Sequence, residues 1–182
     1  MQQITQNLSS LFGLEKFRTG QKEIIQSIVK KKDVLAIMPT GGGKSLCYQL
    51  PAYSKPGLTL VISPLIALMN DQVRHLKKLN LPVGCIHSNM DVEVHKNIFA
   101  NMKTVLKNGG SYTLFITPER VQKPGFPEWI KQQPVNYFAI DEAHCVSKWG
   151  HDFRQEYSKL SVLKDLMPDV PIIALTLSLI HI

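Results

Sequence analysis

The run Pro39-Thr40-Gly41-Gly42-Gly43-Lys44-Ser45 carries the densest chemistry in this chain. Three successive glycines let a backbone turn tightly and bring its N–H groups against a polyanion. The apolar residues 34–38 before it read as a strand, and 46–52 after it as a helix. A helix N-terminus placed there adds partial positive charge. Lys44 can reach the β- and γ-phosphates of a nucleotide, and the Ser45 hydroxyl can ligate Mg²⁺. Thr40, Gly41, Gly42 and Gly43 supply the cradle. The stricter form of this phosphate-loop pattern wants glycine at position 38, where this chain has Met38. The competing reading is a glycine-rich turn that happens to precede Lys-Ser.

A second group follows the apolar stretch 137–140, which ends in Asp141-Glu142-Ala143-His144. A buried strand that delivers two carboxylates to its end suits phosphoryl transfer. Asp141 would hold Mg²⁺, and Glu142 would orient and deprotonate the attacking water. Alone, the pair could equally cap the next helix. With a phosphate loop upstream, catalysis is the better account. His144 is placed to couple the nucleotide site to a partner lobe or to the following loop.

These groups need elements to position them. Short β-branched or aromatic runs recur at 34–38, 58–63, 83–87, 112–117, 137–141 and 172–175. Helical spacing fills 20–31, 65–79, 91–107 and 155–166. Strands that are apolar on both faces and alternate with helices predict an α/β domain, with a parallel sheet covered on both sides. Ligands of such a fold bind at the carboxyl ends of the strands, where both motifs stand.

Composition narrows the class. The 182 residues fit one domain. A hydrophobic fraction of 44% with 19% charged residues excludes intrinsic disorder. The apolar runs are too short for a membrane-crossing helix, and the first residues lack the basic start and apolar stretch of a signal peptide. Cys47, Cys85 and Cys145 are widely spaced, so they predict buried thiols in a reducing compartment, with neither disulfides nor zinc. A net charge of +7 favours polyanionic partners. His75, His87, His95 and His181 show no ligand spacing and read as surface or satisfied core residues. The run Lys30-Lys31-Lys32 reads as a solvated helix end, and Trp129 with its neighbouring prolines as a surface turn.

With both motifs in view, the chain resembles the first motor lobe of the RecQ family of DNA helicases, in superfamily 2. The resemblance spans about residues 8–176. Phe12-Gly13 and Phe17-Arg18-Thr19-Gly20-Gln21 are similar to the family's adenine-recognition segment. The run from Met38 through Gln49 is similar to its motif I, including the non-glycine start. The run from Ser63 through Gln72 resembles motif Ia, and Thr117-Pro118-Glu119-Arg120 motif Ib. The most discriminating piece runs from Asp141 to Arg154 and contains Trp149-Gly150-His151-Asp152-Phe153-Arg154. Lys148 and Gln155 stand where the family more often has Gln and Pro.

The resemblance implies a RecA-like P-loop NTPase fold that uses ATP and Mg²⁺. It implies 3′-to-5′ unwinding of DNA in replication, recombination and repair. Gln21 would read the adenine edge, with Phe17 and Arg18 shaping the pocket; otherwise Gln21 is a solvent-facing residue at a helix start. Lys148, Trp149, Phe153 and Arg154 would sense DNA, the rings by stacking on unpaired bases and the cations by meeting phosphate. Trp149 and Phe153 could instead be packed in a turn. Ser63, Asn70, Thr117 and Arg120 would contact phosphates, or serve as ordinary caps.

The expected partners are single-stranded DNA, duplex junctions and a second RecA-like lobe that supplies an arginine finger. No membrane is expected, and the location would be the cytoplasm, in association with the bacterial nucleoid, or the nucleus in a eukaryote. The expected organisation is one lobe over 1–176, followed by an aberrant tail. The family reads Ala-Leu-Thr-Ala-Thr where this chain has Ala174-Leu175-Thr176-Leu177-Ser178, so 177–182 read as frameshift or read-through. Two alternatives stand beside this reading: a non-catalytic nucleotide- and nucleic-acid-binding module, and an RNA helicase lobe of the DEAD/DEAH type.

Overall fold

The computed structural model describes residues 2–39, 41–146 and 154–177. Thr40, Lys148, Trp149, Phe153, His181 and most of the predicted tail lie outside the described residues.

Among the described residues six strands form one parallel sheet: β1 (Val34–Ile37), β2 (Gly57–Ile62), β3 (Val83–Ile86), β4 (Ser111–Ile116), β5 (Val135–Ile140) and β6 (Ile172–Thr176). Their spatial order is β1-β6-β5-β2-β4-β3, and every pairing is parallel. All six carboxyl ends therefore share one edge. The phosphate loop leaves β1 there, Ser63 follows β2, Thr117 follows β4 and Asp141 follows β5. Strand β6 lies between β1 and β5, so its last residue, Thr176, stands between the loop and the acidic pair.

Helices α1 (Gln2–Ser10), α2 (Gln21–Val29), α3 (Lys44–Ala52) and α4 (Ile66–Lys78) lie on one face. Their Ile4, Leu8, Ile25, Leu50, Met69 and Leu76 form a buried core with Val61 and Phe115 of the sheet. The other face carries α5 (Val92–Lys107), α6 (Phe126–Lys131), α7 (Gln155–Ser158) and α8 (Val162–Leu166). There Met102, Ile130, Tyr157, Leu160 and Leu163 pack on Leu60, Leu114 and Phe138. This is the α/β architecture the alternating pattern predicts, and the three cysteines are buried as expected.

Four local readings change. Strand β1 lies at the sheet edge, so Leu35 and Ile37 remain about half exposed, and coverage of both faces fails there. The predicted helix 155–166 is two helices. Tyr157, Leu160 and Leu163 all bury at a spacing of three, and backbone bonds Leu160→Tyr157 and Leu163→Leu160 tighten the chain to match. Trp129 sits in helix α6, not in a surface turn; Pro127 is tolerated in its first turn, where no helical N–H partner is needed. His87 is buried with no partner at Nδ1, so it is neither a surface nor a fully satisfied residue. Burial lowers its pKa.

Candidate ATP and nucleic-acid site

The phosphate loop is shaped by backbone geometry that side chains would resist. Gly41 and Gly43 take φ of +75° and +79°, in the left-handed region open to glycine. A Cβ on Gly42 would lie 2.9 Å from the Pro39 carbonyl, and one on Gly43 would collide with Nε2 of Gln21. Lys44 begins α3 and folds its ammonium back toward the Met38 carbonyl at 3.4 Å. Ser45 follows it in the first turn.

Gln21 is buried beside this loop. Its Nε2 donates to the Gly43 carbonyl at 3.1 Å, and its Oε1 accepts from the Arg18 N–H at 2.8 Å. The Arg18 guanidinium donates to the Gly41 carbonyl. The predicted adenine segment is thus fastened to the phosphate loop by two hydrogen bonds, and the third braces the segment itself. Phe17 packs against the neighbouring core.

At the end of β5, the Asp141 N–H donates to the Ile62 carbonyl at 2.9 Å, which continues the sheet by one rung. The Asp141 side chain is only 7% exposed, and its Oδ1 accepts from the Glu142 N–H at 3.0 Å. Burial, then the neighbouring Glu142 charge, push its pKa up to about 6, against the pull of Lys44 and His144. No ion pair among the described residues neutralises it. Lys44 bears on this buried carboxylate through its charge, and a carboxylate oxygen is the kind of donor that a hard divalent cation takes.

Glu142 takes φ +53°, an uncommon conformation for a residue with a side chain. It is held by the bond to Asp141 Oδ1 and by the Cys145 N–H, which donates to the Glu142 carbonyl at 2.9 Å. The turn carries Glu142 toward His144, whose Nδ1 lies 3.3 Å from Glu142 Oε2 and 3.2 Å from the Thr176 hydroxyl. The Thr176 carbonyl in turn accepts from the Met38 N–H at 3.0 Å. One residue of β6 therefore touches both motifs.

Two further residues complete the site. The Tyr157 hydroxyl donates to the Asp141 carbonyl at 2.7 Å, and the Arg154 N–H donates to the Cys145 carbonyl at 2.9 Å. These bonds close the base of the predicted DNA-sensing loop onto the acidic turn. Neither Tyr157 nor Thr176 stood out in the sequence as a site residue. The available signal was that a tyrosine at a core position must find a partner for its hydroxyl.

The predicted phosphate contacts divide by exposure. Ser63 and Thr117 are neighbours at the ends of β2 and β4, where the Ser63 N–H donates to the Ile116 carbonyl at 3.1 Å. Both side chains are buried, and the Thr117 hydroxyl donates to the Glu119 carboxylate. Asn70 is exposed, with its Oδ1 accepting from the Cys85 thiol at 3.7 Å, and Arg120 is half-buried. Arg154 is exposed beside the acidic turn.

Comparison with known proteins agrees with this geometry. The model of the DEAD/DEAH box helicase family matches residues 18–179. The chain is 46% identical over 169 residues to the ATP-dependent DNA helicase RecQ of Haemophilus influenzae, covering 93% of this chain and 27% of that protein. It is 43% identical over 177 residues to the probable ATP-dependent DNA helicase RecS of Bacillus subtilis, covering 97% and 34%. The chain thus spans about a quarter to a third of the length of these relatives. Among solved structures, the helicase MrfA bound to DNA and AMPPNP aligns with a TM-score of 0.73 at 18% identity, over 100% of this chain and 27% of that one. The Mycobacterium smegmatis helicase Lhr bound to ssDNA and AMP-PNP aligns at 0.69 and 22%, over 92% and 24%. These two likenesses establish the RecA-like fold, while the matched model and the sequence identities reach further: the chain belongs to the DEAD/DEAH box helicase family and resembles its RecQ-type DNA helicases.

Proposed function

We propose that residues 1–176 are the first, ATP-binding lobe of an ATP-dependent DNA helicase of RecQ type, in which hydrolysis drives 3′-to-5′ movement along DNA and unwinding in recombination and repair. One observation carries the reading: Thr176 touches the start of the phosphate loop through its carbonyl and His144 through its hydroxyl. A nucleotide-dependent change at the loop thereby has a direct path to the acidic pair.

In this account Thr40, Gly41, Gly42 and Gly43 present N–H groups to the phosphates of ATP, and Lys44 neutralises the outer ones. Phe17, Arg18 and Gln21 form the adenine side. Ser45 and Asp141 would hold Mg²⁺, which supplies charge neutralisation on the transferred phosphoryl group. Glu142 takes the proton of the attacking water, and its left-handed backbone fixes where that carboxylate points. His144 and Thr176 hold Glu142 in register with the loop. Lys148, Trp149, Phe153 and Arg154, with Asn70 and Arg120, form the single-strand track, and the buried Ser63 and Thr117 shape it from beneath at the ends of β2 and β4. A second lobe supplies the arginine that completes the site, and DNA junctions are its substrates in the nucleoid or nucleus.

The test compares ATP hydrolysis by the 182-residue chain with hydrolysis by the gene product read past codon 176, each without nucleic acid, with single-stranded DNA and with RNA. The account expects weak Mg-ATP binding and scant turnover by the single lobe, and strong stimulation of the longer product by DNA over RNA. Robust DNA-stimulated turnover by the 182 residues overturns the two-lobe account. Preferential stimulation by RNA overturns the DNA assignment.

A further inference from the structure

Helices α5 and α6 are separated by a cleft on the face of the sheet opposite the phosphate loop's helix. Its floor is aromatic. Phe99 of α5 meets Trp129 of α6 edge to face, with ring centroids 5.6 Å apart, and Phe126 tilts against Trp129 at 5.7 Å. On one side of this ridge lies a cavity of about 230 Å³, walled by Ile86, Leu114 and Ile116 of the sheet. On the other side the cleft continues past Leu106 to Pro134.

The charge around it has one sign. Lys123 stands at the cavity beside Arg120, the residue proposed above for the single-strand track, and Lys103 and Lys107 stand at the far end; no carboxylate lines either part. None of the four enters an ion pair among the described residues. Of the nearby carboxylates, Glu119 accepts from the Thr117 hydroxyl, and Glu128 lines an adjoining hollow with Lys123 and Lys159 and not the cleft itself. Lys103, Lys107 and Lys123 are exposed.

We propose that this cleft docks an acidic peptide segment of a partner protein, with one apolar side chain seated in the cavity and carboxylates meeting the lysines on either side. The chemistry separates this occupant from nucleic acid. Apart from Arg120 and Lys123, the cavity side chains are apolar or aromatic, so no side chain there accepts a hydrogen bond from a base edge; Gln132 and Gln133 line only the far part of the cleft. Rings already packed edge to face against one another offer less open face for base stacking. An apolar anchor inside a charged rim is the arrangement in which a few buried residues carry the affinity while rim charges set orientation and rate.

The probe is a fluorescein-labelled ten-residue peptide of glutamates around a single central phenylalanine, titrated with the whole 182-residue chain and read by anisotropy. Two controls accompany it: the same peptide with alanine for phenylalanine, and a labelled oligo-dT of similar charge. The expected result is saturable binding that falls at least tenfold for the alanine peptide. It also falls at least tenfold in the surface variant Lys103→Glu/Lys123→Glu, whose fold is verified by circular dichroism. Trp129→Phe keeps the fold's apolar volume closer to native and should weaken the phenylalanine peptide more than the alanine one. Equal binding of the two peptides overturns the proposal, because charge alone then suffices. So does an unchanged affinity in the double variant. Loss of oligo-dT binding in that variant, with no specific peptide binding, assigns the cleft to nucleic acid and overturns it as well.

Discussion

The Thr176 hydroxyl lies 3.2 Å from Nδ1 of His144, while the carbonyl of the same residue accepts the Met38 N–H that opens the phosphate loop. Threonine can do both because β6 lies between β1 and β5, with Ile37 opposite Thr176 and Ile140 opposite Ala174. Replacing Thr176 by valine keeps the shape and the carbonyl bond and removes the hydroxyl. In the proposed two-lobed protein, DNA-stimulated ATP turnover should fall about three- to tenfold, the worth of one hydrogen bond, with ATP affinity nearly unchanged. Steady-state kinetics read both quantities. An unchanged kcat would remove Thr176 from the coupling path.

Tyr157 acts on the same site from the opposite direction. Tyr157→Phe leaves the Asp141 carbonyl without its buried partner, at a cost of about 1 kcal/mol, or a drop of about 2–4 °C in Tm. Because the bond bears on the backbone of the acidic turn, kcat should fall in the proposed two-lobed protein while the Kd for ATP is retained. A thermal melt and a kinetic titration separate the two effects. A lower Tm with full kcat would make Tyr157 a packing residue alone.

Gln21 fastens the adenine segment to the phosphate loop through Gly43 and Arg18. Gln21→Ala should weaken ATP binding by about tenfold, because the amide that ties the Gly43 carbonyl to the Arg18 N–H is lost and the loop loosens, although Gly43 keeps the Leu46 N–H. Calorimetric titration with ATP measures this. Wild-type affinity in the variant would mean the loop is held without Gln21.

Asp33 staples the far end of the sheet. Its Oδ1 accepts from Lys164 Nζ at 2.9 Å and from the Ile172 N–H at 2.9 Å, and these bonds, led by that from Lys164, hold its pKa below the usual 3.8. A carboxylate lowered in the folded state contributes stability above its unfolded pKa and loses it as pH falls through the folded value. Asp33→Asn should therefore melt below wild type at pH 7, with the gap closing as pH drops beneath 3.8. Tm against pH reads the closure. A gap independent of pH would assign the effect to hydrogen bonding without charge.

Much of this was legible before any coordinates. The six strands fall within about two residues of the apolar runs, because a parallel strand buried on both faces leaves a continuous signal. The phosphate loop and acidic pair were legible because glycine and adjacent carboxylates at strand ends have few other uses. Contacts between distant segments were not. Nothing local says that the Tyr157 hydroxyl reaches Asp141, or that Gln21 reaches Gly43, since both pairings depend on which strands become neighbours. Helix α6 was hidden by its prolines, and the break between α7 and α8 by an apolar spacing that also fits one continuous helix. The exposure of Leu35 and Ile37 follows from the edge position of β1, which strand order alone decides.

The central claim is that the glycine loop and Lys44 bind the phosphates of ATP. Equilibrium dialysis of labelled ATP with Mg²⁺ against the 182-residue chain tests it most directly, with Lys44→Ala beside Lys78→Ala, a lysine at the end of α4 away from the loop. The account predicts saturable one-to-one binding by wild type and Lys78→Ala, weakened at least tenfold in Lys44→Ala. Equal binding by Lys44→Ala and wild type would contradict it.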